Sequence, residues 1–278
     1  NTLDQIYLKE TTIEQSWPSL VTSGAMLISM VLWPLLTRIY NNKMKEKRKK
    51  EIEKKYSEYL KEKEEELIKE SKLQKEILIE NLITVKECSD IIINKSVSFW
   101  DKRIDQNDFL IIRIGIGNDL LNVKVEYPEE GFTIEEDNLR KQADALVEKY
   151  KYIENIPIGY SLYENKITAI MGNRVKSICF VNNILVQLLA FYSYEDLKIV
   201  MFTDEEKKSD WDYIKYLNHN FNNNKRVRFF SSTQDTSKSI AEILNIEFNN
   251  RLLSLNSHKE NHFKPYYIII TDNYERIK

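Results

Sequence analysis

Residues Gln15 to Thr37 read QSWPSLVTSGAMLISMVLWPLLT, and no charged side chain interrupts them. From Ser19 to Leu36 the run is almost entirely apolar or small. A bilayer core needs about 20 such residues in a helix, because amides in lipid must pair within their own segment. The stretch therefore predicts a transmembrane helix over residues 15–37. Soluble core helices seldom run this long without a charge. A signal peptide carries its basic flank before the apolar run, and here the flank comes after it. Trp17, Trp33 and Tyr40 stand near the ends, where amphipathic rings favour the headgroup layer. Pro18 and Pro34 are read as lying close to the boundaries, where a missing amide donor does least harm.

The flank sets the orientation. Arg38, Lys43, Lys45, Lys47, Arg48, Lys49 and Lys50 follow the span, opposed only by Glu46. Asp4, Lys9, Glu10 and Glu14 precede it. The positive-inside bias predicts a single span in the cell membrane, with everything after residue 38 in the cytoplasm. Residues 1–14 are then an extracytoplasmic segment, or a loop leading from an earlier span. Basic side chains beside a span predict contact with lipid headgroups, Arg38 and Lys43 nearest to them. The whole chain has 278 residues and a net charge of -2, which argues against nucleic acid as a partner. Cys88 and Cys179 are far apart and have no metal spacing, so reduced thiols are expected. A chain that starts at Asn1 and stops just after a strand-like run reads as an excerpt of a longer protein.

Residues 38–97 read as a basic juxtamembrane region and a helical stalk. No Gly or Pro occurs between Asn41 and Phe109. Ile52, Tyr56, Tyr59, Leu60, Leu67, Leu73 and Ile77 give one thin apolar face. That face suits a stalk against a partner, a hairpin with the next segment, or a solvated spacer.

From residue 98 the pattern becomes α/β. Strands are expected at 109–114 and 120–127, joined by a turn at Gly115, Gly117 and Asn118. A helix follows over 135–150 with Thr133 as N-cap, then an extended segment at 157–163. A strand is expected at Ile167 to Met171. Asn173 then caps a helix from Arg174 to Phe191, apolar almost all round and expected to be buried. Strands at 197–202, 227–230 and 266–271 alternate with helices near 210–217 and 233–253. This alternation predicts a mainly parallel sheet with flanking helices over 98–278, a RecA-like P-loop-NTPase-type fold, possibly truncated at its C-terminal end.

Strand, Gly172, buried helix is the layout of a phosphate-binding loop, but the loop is missing. GxxxxGK[ST] needs two glycines for the cradle, a Lys for the phosphates and a hydroxyl for magnesium. Here the stretch is AIMGNRVKSI, Ala169 to Ile178. No two glycines stand five apart and none precedes a Lys. What remains is a degenerate anion site at the helix N-terminus: Gly172, Asn173, Arg174 and Lys176. Asp272 ends an apolar strand, YYIIIT, as a Walker B Asp does, but Asn273 stands where the next acid is usual. The competing reading is a structural loop. No catalytic residue and no metal site is expected. His258 and His262 are four apart, and the polar stretch around them reads as a solvated loop.

Three motifs carry a family resemblance. Trp100-Asp-Lys-Arg103, Asp108-Phe109-Leu110 and Arg113-Ile-Gly115-Ile-Gly117 resemble the WxRRxxDxDFLxxRxGxG signature of type VII secretion motors. These are FtsK/SpoIIIE-type ATPases of Gram-positive bacteria, the EssC and EccC proteins. The span ending in VLWPLL and its charged helix are similar to the same architecture, and Lys102 stands where Arg is commoner. The resemblance implies a structural role for Trp100, Arg103, Asp108, Phe109, Arg113, Gly115 and Gly117. It implies a membrane-proximal, degenerate ATPase-like domain, with ATP and magnesium used only by downstream domains. It also implies other type VII membrane components, a ubiquitin-like cytoplasmic protein, WXG-family export substrates and further copies of the chain as partners.

Overall fold

A computed structural model describes residues 13–124, 136–256, 263–273 and 275. The predicted Thr133 cap, the end of the 120–127 strand, and His258 and His262 lie outside these residues. The chain divides into two compact units, Asn1–Lys72 with Leu121–Lys151, and Leu73–Leu120 with Tyr152–Lys278.

Helix α1 runs from Ile13 to Asn81, 69 residues; its residues up to Lys72 belong to the first unit and those from Leu73 to the second. Pro18 and Pro34 both lie inside it. Pro34 is therefore internal, where a boundary was expected. Its missing amide takes one bond from the ladder, and the Thr37 hydroxyl donates to the neighbouring Trp33 carbonyl at 2.8 Å. From Val21 to Leu36 the apolar segment of α1 is exposed apart from a half-buried Gly24: Trp33 is 73% accessible and Met30 67%. Helix α3, Glu136–Lys149, belongs to the first unit. Lys149 Nζ and Tyr150 Oη both donate to Glu64 Oε1 of α1, at 2.7 and 2.8 Å.

The second unit is mixed α/β. Past the end of α1 it continues with helix α2, Val85–Asn94. Thr84 and Glu87 form a reciprocal capping box that starts it. Strand β1, Ile111–Leu120, pairs antiparallel with β2, Tyr152–Ser161. Gly115 and Gly117 therefore lie inside a strand, not in a turn. The register slips between Arg113 and Gly115 and again between Gly117 and Asp119, so both glycines border irregular steps. A Cβ on Gly117 would meet Ile158 Cγ1 at 3.0 Å. Close approach of β2, rather than chain reversal, accounts for that glycine.

Helix α4 spans Arg174–Phe191 and strand β3 Leu197–Phe202. Three 3-10 turns follow, over Lys208–Asp210, Asp212–Tyr216 and Asn218–Asn220, where one short helix was expected. Then come β4, Phe230–Ser231, helix α5, Gln234–Asn256, and β5, Tyr266–Thr271. The second sheet has the order β4-β3-β5, and β3 is parallel to both neighbours. All six β3 side chains are buried, as a parallel strand covered on both faces should be. Ile199 and Met201 pack with Leu185 of α4, while Val200 and Phe202 pack with Ile240 and Leu244 of α5. The period of two sends alternate residues to opposite layers.

Two expectations differ from this arrangement. Ile167 to Met171 forms no strand; Ile167 is 95% and Met171 92% accessible. An extended apolar run becomes a strand only when a neighbour takes its amides, and no strand pairs with this one among the described residues. Helix α4 is buried only over its second half, from Leu185 onward.

Candidate functional site

The two ends of α4 hold the residues singled out above. At its start Asn173 is the N-cap, its Oδ1 accepting from the Val175 amide at 3.0 Å. Gly172 and Lys176 are exposed beside it. Arg174 reaches across to the carboxyl ends of the strands. Its Nη2 donates to Asp210 Oδ2 at 2.6 Å and to Asp272 Oδ2 at 3.0 Å. Trp211 Nε1 donates to that same Asp272 oxygen at 3.0 Å. The other oxygen, Oδ1, is buried and has no hydrogen-bond partner among the described residues. Asn273 donates to both oxygens of Asp204, at 3.1 and 2.9 Å, just beyond the end of β3. The sequence-predicted Gly172, Asn173, Arg174 and Asp272 thus come to one edge of the parallel sheet, where α/β folds place ligands. Their polar atoms are largely used on one another.

The far end of α4 is more densely bonded. Helices leave their last carbonyls without donors. Here Trp100 Nε1 donates to Leu189 O at 3.0 Å and the Trp100 amide to Ala190 O at 2.9 Å. The Lys102 amide reaches Phe191 O at 3.2 Å. Trp100 adopts a left-handed backbone, φ 64°, which an L side chain resists by about 1–2 kcal/mol. Its two bonds and a stack on Phe99, centroids 4.4 Å apart, offset that strain. Lys102 also pairs with Asp108 at 2.7 Å. Phe109 is buried edge-on against Tyr192 and Tyr266. The Leu110 amide donates to Tyr192 Oη at 2.7 Å. Arg113 joins three elements. Its amide and carbonyl bond the Gln187 side chain at 2.7 and 2.9 Å, and its Nη1 donates to Leu82 O at the end of α1 at 2.9 Å. Arg103 is exposed, as is Asp101, and the Arg103 amide donates to Gln106 Oε1 at 2.9 Å.

Over 199 residues the chain is 32% identical to the type VII secretion system protein EssC of Staphylococcus aureus strain MSSA476, covering 72% of this chain and 13% of that one. The EssC of strain NCTC 8325 matches to the same extent. The chain belongs to the EssC/EccC family of type VII secretion, FtsK/SpoIIIE-type proteins. The ESX secretion system protein EccC of Geobacillus thermodenitrificans is 22% identical over 201 residues, 72% of this chain and 14% of that one. No family model matches the chain. It spans about an eighth of the length of the curated EssC relatives it matches.

In this family member, sequence reasoning missed the partners of the motif. Gln187, Tyr192 and His219 are buried and bonded at the same end of α4. His219 Nε2 lies 2.9 Å from Tyr192 O, and its ring meets those of Trp100 and Tyr194 edge-on. Burial pushes its pKa below the ordinary value, and nearby Lys198 adds to that, against the pull of the Tyr192 carbonyl. Burial likewise raises Tyr192 well above the usual phenol range. One signal was available: Gln187 is the single polar residue from Ile184 to Phe191, and a lone amide in an apolar run must find a buried partner. The expected interfacial residues Trp17, Trp33, Arg38, Tyr40 and Lys43 are all exposed on α1.

Proposed function

We propose that this chain is the membrane anchor and membrane-proximal coupling part of a type VII secretion motor. In this reading α1 crosses the cell membrane once over residues 15–37, and the rest is cytoplasmic. The observation that carries it is the continuity of α1. It leaves the apolar segment and runs unbroken to Asn81, and Arg113 grips the next carbonyl, Leu82 O. Gln74 and Lys75 add bonds to Leu120 O and Glu154 O of the hairpin, at 3.1 and 3.2 Å. A helix held this way transmits displacement into the β1-β2 hairpin and α4.

We read the α/β unit as RecA-like and without a working nucleotide site. Asp272 Oδ2 is taken by Arg174 and Trp211, and Oδ1 is buried. These residues do not fit a magnesium-nucleotide complex. ATP is then hydrolysed by other domains of the larger motor, with WXG-family cargo, other membrane components, a ubiquitin-like protein and further copies as partners.

The test is to replace Glu51–Lys54 by four glycines in the full-length protein. Each glycine weakens an exposed helix by about 1 kcal/mol. Export should stop while membrane insertion persists. Undiminished export contradicts the coupling role.

A further inference from the structure

Strand β5 is the outer strand on one side of the parallel sheet, with β3 on its other edge. Its sequence YYIIIT has no charge and no Pro, and its register with β3 has no bulge. An apolar edge without these protections recruits another strand. Ile269, in the middle of β5, is 45% accessible.

The chain between Tyr163 and Arg174 is fastened at both ends of this strand. The Tyr163 ring lies 5.9 Å from that of Tyr266, the first residue of β5. Arg174 Nη2 bonds Asp272, the residue after its last, at 3.0 Å. The connecting segment therefore runs in the direction of β5. Within it lies the exposed apolar run Ile167 to Met171, which forms no strand. Among the described residues, no backbone group of this run bonds another backbone group. The Thr168 hydroxyl is instead within 3.1 Å of Tyr160 Oη. Five residues of parallel strand cover about 16 Å, most of the length of β5. Glu164, Asn165 and Lys166 remain to turn into the run, and Gly172 and Asn173 to reach α4. Two apolar rows of open amides and carbonyls are thus tethered to the same two points.

We propose that Ile167 to Met171 is a strap that docks on the free edge of β5 as a fourth strand of the sheet, parallel to it. Docking pairs the open backbone groups of both and covers apolar side chains of both. It closes β5 to any other strand and fixes the start of α4. The device is independent of whether α1 crosses a membrane.

The test is hydrogen exchange of the full chain in detergent, resolved to single amides. Two sets are followed: amides from Thr168 to Met171, and those of β5 that point away from β3. Both should exchange at least about tenfold slower than unpaired chain, the factor for a strap docked nine-tenths of the time. Ala169→Pro removes a strap donor at an exposed position. It should return both sets to the unpaired rate while the buried β3 amides stay slow. Thr168→Val removes the hydroxyl that bonds Tyr160 in the undocked position, and should slow both sets further by about fivefold, the worth of one hydrogen bond. Exchange of the strap at the unpaired rate in the unsubstituted chain overturns the proposal, as do outward β5 amides that stay slow in Ala169→Pro. Protection that falls on dilution overturns it too, because the partner strand would then come from a second copy.

Discussion

The two ends of α4 teach opposite lessons. Its N-terminal end has the layout of a ligand site, and its groups are turned on each other: Arg174 lies between Asp210 and Asp272. Its C-terminal end looked in sequence like plain apolar helix. There Trp100 and Lys102 donate to the last carbonyls of α4, and the buried side chains of Tyr192 and Gln187 take the Leu110 and Arg113 amides. Burial decides what each end contributes. Arg174 is 40% accessible on its side chain, so its ion pairs are screened by water. Tyr192 and Leu188 are fully buried, so each lost contact there is felt in full.

The contrast can be broken by mutation of the full chain in detergent, read by chemical unfolding. Trp100→Ala should have the largest effect, about 3–5 kcal/mol, because a large ring and a carbonyl partner leave together. A loss under about 1 kcal/mol would remove Trp100 from the lock. Tyr192→Phe keeps the ring but strands the buried Leu110 amide, and about 1–3 kcal/mol should be lost.

His219 sharpens the same point through pH. Its folded pKa lies below the ordinary 6.5 because burial disfavours the cation. As pH falls through about 6.5, the unfolded chain takes up a proton that the fold refuses. Stability should therefore decline with acidification below that point, and His219→Gln should flatten this part of the profile. An unchanged slope in the variant would count against it. Arg174→Ala, at the other end, should change stability by less than about 1 kcal/mol after solvent screening. A loss as large as that of Trp100→Ala would erase the distinction between the ends.

How much of this was legible follows the range of the forces involved. Helix α4 with its Asn173 cap, β3 and β5 were read to the residue, because a cap and an apolar period are local signals. The glycines of β1 were misread because Gly115-Ile-Gly117 carries the same letters as a turn. What decides is the partner strand, whose Ile158 presses on Gly117 from 41 positions away. Ile167 to Met171 failed for the complementary reason: it has strand composition and, among the described residues, no strand that pairs with it. Helix α2 was legible and overlooked, since Thr84 followed by Glu87 is a capping-box signature. At the candidate site, Gly172 to Lys176 and Asp272 were singled out by motif layout. Asp210 and Trp211, which complete the cluster, come from the 3-10 turns after β3, a stretch read as one short helix with no motif of its own.

The central claim is that α4 acts through its locked C-terminal end and not through nucleotide at its start. Calorimetric titration of the full chain with magnesium-ATP tests it most directly. No saturable heat up to millimolar nucleotide is the predicted result. Micromolar binding, lost on Asp272→Ala, would contradict it.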